Sequence, residues 1–135
     1  ANLKACLILT RIKQGVCKSP ISACAQRVLA GFLGRVLLSS FDFDVLKLAR
    51  AAFPGWSIAV IAEDATPEVF EVAQQIEADA LNLWWETLSY DDVQRARARG
   101  MTVNVWTANE PDKVRSMVDW GVAGFMSDCP QNFRF

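Results

Sequence analysis

Histidine is absent from the sequence. The one side chain whose unperturbed pKa lies near neutrality is therefore missing, and any proton transfer would fall to carboxylates, lysines or thiols in unusual surroundings. Acidic residues are absent as well from Ala1 to Phe41, where Lys4, Arg11, Lys13, Lys18, Arg27 and Arg35 stand unopposed. Over the whole chain 14 basic residues meet 15 acidic ones, a net charge of −1. Such a balance supplies no overall field to draw in nucleic acid or an anionic membrane surface, and neither is expected as a partner. No apolar run approaches the roughly 20 residues of a membrane span, and Leu7 to Thr10 is too short for a signal-peptide core. Cys6, Cys17, Cys24 and Cys129 lack the short paired spacings of a zinc site. They read as reduced thiols, which makes a cytoplasmic location the expectation.

What is present is a core. With 52% hydrophobic and 21% charged residues in 135 positions, the chain has the composition of one compact domain. From Arg35 onward short apolar runs alternate with amphipathic stretches and Gly or Pro, the pattern of parallel strands joined by helical crossovers. Strands are expected at Val36 to Phe41, Ser57 to Ala62, Ala80 to Trp85, Met101 to Thr107 and Ala123 to Ser127. Asp42 should cap a helix reaching about Phe53, which Pro54-Gly55 stops. Thr66-Pro67-Glu68 opens the next, with Val69, Phe70, Ala73 and Ile76 as its buried stripe. Ser89 caps a third helix closed by Gly100, with Asp91 and Asp92 at its start and Arg95, Arg97 and Arg99 placed to complement the dipole. Asn109-Glu110-Pro111 opens a fourth that Gly121 ends. Ahead of these, Lys4 to Ile12 suggests another strand and Pro20 to Leu33 another helix.

In a closed parallel sheet the functional groups gather at the carboxyl ends of the strands. The candidates there are Ser40 to Asp42, Glu63 and Asp64, Trp84 to Glu86, Trp106 to Asn109, and Asp128. Period-two alternation puts Asn104 on the face of Trp106 and Val103 and Val105 on the other. It likewise pairs Asn82 with Trp84 and Ser39 with Phe41.

Four segments, in order and at characteristic spacing, resemble the C-terminal half of a glycerophosphodiester phosphodiesterase: Leu37-Leu38-Ser39-Ser40-Phe41-Asp42, Ala80-Leu81-Asn82-Leu83-Trp84-Trp85, the run from Arg99 through Val105-Trp106-Thr107-Ala108-Asn109 to Pro111, and Gly121-Val122-Ala123-Gly124-Phe125-Met126-Ser127-Asp128-Cys129-Pro130. The resemblance implies an α/β fold, a partial TIM-type (β/α) barrel of about five to six parallel strands. A complete barrel takes roughly 250 residues. It also implies a place in glycerol and lipid metabolism, with hydrolysis of a small-molecule glycerophosphodiester to an alcohol and glycerol 3-phosphate using a divalent cation, Mg or Ca. The family's catalytic histidines and most of its metal carboxylates belong to the first strands, and their motifs are missing here. Where an Asn-x-Glu-x-Lys pattern would carry one metal ligand, the nearest counterpart, Asn2-Leu3-Lys4, puts a cation in place of the glutamate.

The expectation is therefore residues 25–135 as the C-terminal half of such a barrel, behind an atypical basic segment over 1–24 of truncated or frame-shifted origin. No catalytic and no metal-binding residue is assigned, no cofactor is expected on this chain, and the chain alone should be inactive. Phe41, Trp84 and Trp106 are assigned to substrate binding by the resemblance, with lumen packing the alternative for the same rings. Asn82 and Asn104 should bond a ligand, each other or buried water. Asp42 reads as a cap, Asp128 as a turn former, and Glu63 and Glu86 as solvated charges. The competing function is a non-catalytic binding or interaction module. Open strand edges favour self-association in either case.

Overall fold

The computed structural model describes residues 7–9 and 36–133. The expected helix at Pro20 to Leu33, the Asn2-Leu3-Lys4 segment and nearly all of residues 1–24 lie outside these. Within the expected strand at Lys4 to Ile12, Leu7–Leu9 forms β1. There follow β2 (Val36–Ser40), α1 (Phe43–Ala52), β3 (Ser57–Ala62), α2 (Pro67–Gln75), β4 (Ala80–Trp84), α3 (Tyr90–Ala98), β5 (Thr102–Trp106), α4 (Pro111–Trp120), β6 (Gly124–Phe125) and a short 3-10 turn at Pro130–Asn132. The six strands form one parallel sheet in sequential order, β1 through β6. This is the alternating architecture of a partial TIM-type barrel.

Local chemistry sets the helix starts. The Asp42 carboxylate accepts from the Asp44 and Val45 amides at 3.0 and 3.2 Å, and Thr66 Oγ1 accepts from Val69 N at 3.3 Å with Pro67 at the first helical position. Ser89 and Asp92 form a reciprocal capping box. Each device satisfies amides that have no partner inside the helix. Gly121 ends α4 at φ +100°, a left-handed turn that glycine adopts without steric cost. Asp91 and Asp92 stand in the first turn of α3 and Arg95 and Arg97 in its last, as the dipole favours; the Arg95 guanidinium also lies 4.1 Å from the Phe70 ring centroid on α2 and donates to Ala65 O at 2.6 Å and Asp92 Oδ1 at 2.8 Å.

Register divides the sheet into two faces. Leu38, Ile58, Val60, Leu81, Leu83, Val103 and Val105 point to the helices and share one core with Leu46, Ala49, Phe70, Ala73, Val93 and Val114. The opposite face carries Ser39, Ala59, Ile61, Asn82 and Asn104, aligned by the pairings Ser39 with Ala59, Ile61 with Asn82, Asn82 with Asn104 and Asn104 with Gly124. This second face is the lumen. A parallel sheet covered on both faces explains why the strands read as nearly continuous apolar runs.

At the amino ends of the strands one arginine fastens two connections, those leading into β3 and β4. Arg50, near the end of α1, donates from Nε to Ile76 O at 2.9 Å, from Nη1 to Pro54 O and Trp56 O at 2.9 Å, and from Nη2 to Glu77 O at 2.8 Å and Asp79 Oδ2 at 3.4 Å. Asp79 Oδ2 also accepts from Ile58 N at 2.9 Å. All the donors of the guanidinium fork are thus engaged. Glu77 presents its carbonyl from a left-handed backbone, φ +50°.

Candidate functional site

The carboxyl ends of β2 to β6 bring the expected residues to one rim. Phe41 follows β2 directly and is 54% exposed. Trp106 ends β5 and Trp84 ends β4, side by side in register. Adjacent strands lie about 4.8 Å apart, so β2 and β5 would be far separated in a flat sheet. Yet the Phe41 and Trp106 rings meet edge to face, centroids 5.6 Å apart and planes at 85°. The contact reaches across β3 and β4, and only a sheet curled toward its lumen permits it. Edge-to-face geometry is favourable for the ring quadrupoles.

Beneath the rings lies a polar rung. Asn104 Nδ2 donates to Asn82 Oδ1 at 2.9 Å, and Trp106 Nε1 donates to the Asn82 carbonyl at 3.0 Å. The two asparagines thus satisfy each other, one of the outcomes expected for them. Asn104 also governs its other neighbour, because a Cβ placed on Gly124 would stand 2.8 Å from Asn104 Oδ1. Two buried atoms of the lumen, Ser39 Oγ and Asn82 Nδ2, have no hydrogen-bond partner among the described residues. An unpaired buried polar group costs about 1–3 kcal/mol.

The carboxylates divide as their local sequence suggests. Asp42 caps α1, while Glu63 and Glu86 are exposed in the loops after β3 and β4. The loop carrying Glu86 is fastened by Thr87 Oγ1, which donates to Glu63 O and to Trp84 O. Trp85 packs against the helix-side core, so Trp84 and Trp85 face opposite ways. Among the described residues no group of three or more His, Cys, Asp or Glu side chains is placed to hold a metal ion. The donor set of the described residues does not converge as a divalent cation needs, with several oxygen ligands on one point.

A second polar cluster was not legible from the sequence. Asn109 Oδ1 accepts from Ser127 Oγ at 2.9 Å and Asp128 N at 3.0 Å, and Asn109 Nδ2 donates to Asp128 Oδ2 at 3.2 Å. Ser127 Oγ in turn accepts from Cys129 N at 3.1 Å. These bonds join the exits of β5 and β6, continuing the backbone link from Ala108 N to Met126 O at 2.9 Å. They also explain why β6 ends at Phe125 rather than Ser127: the residues beyond Met126 are bound by a side chain instead of a strand. Asn109 and Asp128 were candidates by position and Ser127 was not; only the neighbouring placement of β5 and β6 makes them a unit.

Comparison with known proteins agrees with this geometry. The sequence model of the Glycerophosphoryl diester phosphodiesterase family matches residues 20–132. A glycerophosphodiester phosphodiesterase of Caldanaerobacter subterraneus subsp. tengcongensis is 24% identical over 100 residues, covering 74% of this chain and 41% of that protein. The structure of an Oleispira antarctica phosphodiesterase in complex with the product sn-glycerol-3-phosphate superposes with a TM-score of 0.76 at 21% identity, over 82% of this chain and 46% of that one. A glycerophosphodiester phosphodiesterase structure from Parabacteroides distasonis gives 0.72 at 18% identity, over 96% and 55%. The chain spans about half the length of these relatives.

Proposed function

Because the chain belongs to the glycerophosphoryl diester phosphodiesterase family, we propose that it forms the carboxyl-terminal wall of a glycerophosphodiester site: a fragment that binds the organic part of the substrate and leaves cation binding and hydrolysis to other strands of a complete barrel. The observation that carries this reading is the Phe41–Trp106 pair, 5.6 Å apart at the strand exits, where the family resemblance puts the substrate. The Oleispira antarctica relative, in complex with sn-glycerol-3-phosphate, supports the ligand class. The absence of histidine from all 135 residues and the scattered carboxylates support inactivity of the chain by itself. Ser39 Oγ and Asn82 Nδ2, buried without partners among the described residues, support a lumen whose polar contacts are completed by further strands. A cytoplasmic setting and self-association through the sheet edges complete the proposal; the free thiol of Cys129 is in keeping with a reducing compartment.

The test is an assay of glycerol 3-phosphate release from glycerophosphocholine with Mg²⁺ or Ca²⁺. The chain alone should give no product above the blank, and the chain mixed with the separately produced amino-terminal half of a family enzyme should give it. Turnover by the isolated chain would overturn the assignment of chemistry to other strands. Silence of the mixture, with association of the halves demonstrated, would overturn the assignment of the substrate wall.

A further inference from the structure

A recess of about 500 Å³ opens between α2 and α3. Ala78 and Met101, which lead into β4 and β5, form its buried floor with Ala73, so it lies at the amino ends of the strands, away from Phe41, Trp84 and Trp106. Its exposed wall carries Arg99 at the end of α3 and Glu77 just beyond α2. Arg99 is held from two sides. Its Nη1 donates to Arg95 O at 3.0 Å, and its Cζ lies 5.2 Å from the Phe70 ring centroid. The Nε–Nη2 edge is left over, and among the described residues it has no acceptor. That edge presents two parallel N–H groups, the geometry a carboxylate takes bidentately. Arg95, 4.1 Å from the same ring centroid, is already paired with Asp92 at 2.8 Å, so the unneutralised cation is Arg99.

Glu77 stands on a fixed backbone, since its carbonyl accepts from Arg50 Nη2 at 2.8 Å in a left-handed conformation, φ +50°. Among the described residues its carboxylate forms no ion pair, with Arg99 or with any other cation. Two opposite charges thus line one recess over an apolar floor without neutralising each other. A ligand with a single charge would meet one of them favourably and the other unfavourably. A ligand with both charges on a short aliphatic chain meets both and lays its methylenes on the floor. The guanidinium is set in advance by Phe70 and the Arg95 carbonyl, which lowers the ordering cost of binding.

We propose that this recess binds a small dipolar ligand of the ω-amino carboxylate class, its carboxylate on the Nε–Nη2 edge of Arg99 and its ammonium at Glu77. The site stands at the opposite end of the sheet from the substrate wall and does not depend on it.

The experiment is an NMR titration of the full chain with 6-aminohexanoate, hexanoate and hexylamine, read at the backbone amides and at the side-chain amide of Gln74, which also lines the recess. 6-Aminohexanoate should saturate, shift the signals of Gln74, Glu77 and Arg99, and bind about threefold or more tighter than either singly charged analogue. The margin should shrink as salt is raised. Arg99→Gln should lower its affinity to that of hexylamine, and Glu77→Gln to that of hexanoate. Ala98→Leu keeps both charges and fills the recess from an exposed position on α3; it should weaken all three ligands while circular dichroism shows the fold retained. No saturable binding, equal binding of hexanoate or hexylamine, shifts confined to other surfaces, or an affinity unchanged in any of the three variants would overturn the proposal.

Discussion

Asn104 is held between an attraction and an exclusion. Its amide donates to Asn82 at 2.9 Å, and its oxygen lies where a Cβ on residue 124 would have to go. The glycine is thus required by a close approach. Gly124→Ala should push the Asn104 amide off Asn82, leaving the buried Asn82 Oδ1 without that partner at a cost of about 1–3 kcal/mol. Urea unfolding should show that loss in the wild-type background and a much smaller one with Asn104→Ala, where nothing remains to collide. Losses that simply add would disprove the coupling. The pairing of Asn82 with Asn104 was half legible: alternation put both on the lumen face, but which strands are neighbours had to come from the sheet. The caps at Asp42, Thr66 and Ser89 were fully legible, because a cap involves residues only two or three positions apart.

At the level of elements, Arg50 shows how much packing detail the sequence conceals. It lies on α1, and its acceptors include carbonyls 26 and 27 residues further along the chain. No local pattern announces them. The side chain is 20% exposed, so its bonds are partly shielded from water, and bonds to charged groups each contribute about 1.5–3 kcal/mol. We expect Arg50→Ala to lower unfolding stability by about 2–3 kcal/mol. Arg50→Lys should recover little, since an ammonium cannot reproduce the planar fork that reaches Ile76, Pro54, Trp56 and Glu77 together. Equal stability of the lysine variant and the wild type in a denaturant titration would contradict this. On α3, Arg95 stands in the last turn as its spacing indicates, but that spacing does not record the ring of Phe70 and the carbonyl of Ala65 that its guanidinium also meets.

For the whole molecule the governing feature is a six-stranded parallel sheet with two end strands, β1 and β6, in a chain about half as long as its relatives. Strand edges pair readily with other strands. Light scattering behind size exclusion should therefore give a mass above the 15.0 kDa of one chain, and a strictly monomeric species at about 100 μM would refute self-association. The sequence by itself determined the alternation of strands and helices, the helix caps, the two sheet faces and the family, because each is written in spacing over a few residues or in short motifs. Tertiary structure alone decided that Phe41 and Trp106 touch, that Asn109 binds the exit of β6, and that Arg50 joins two connections. The physical reason is reach. Those contacts join residues brought together only by the curl and order of the sheet, and no periodicity along the chain records which distant side chains a curved sheet will set face to face.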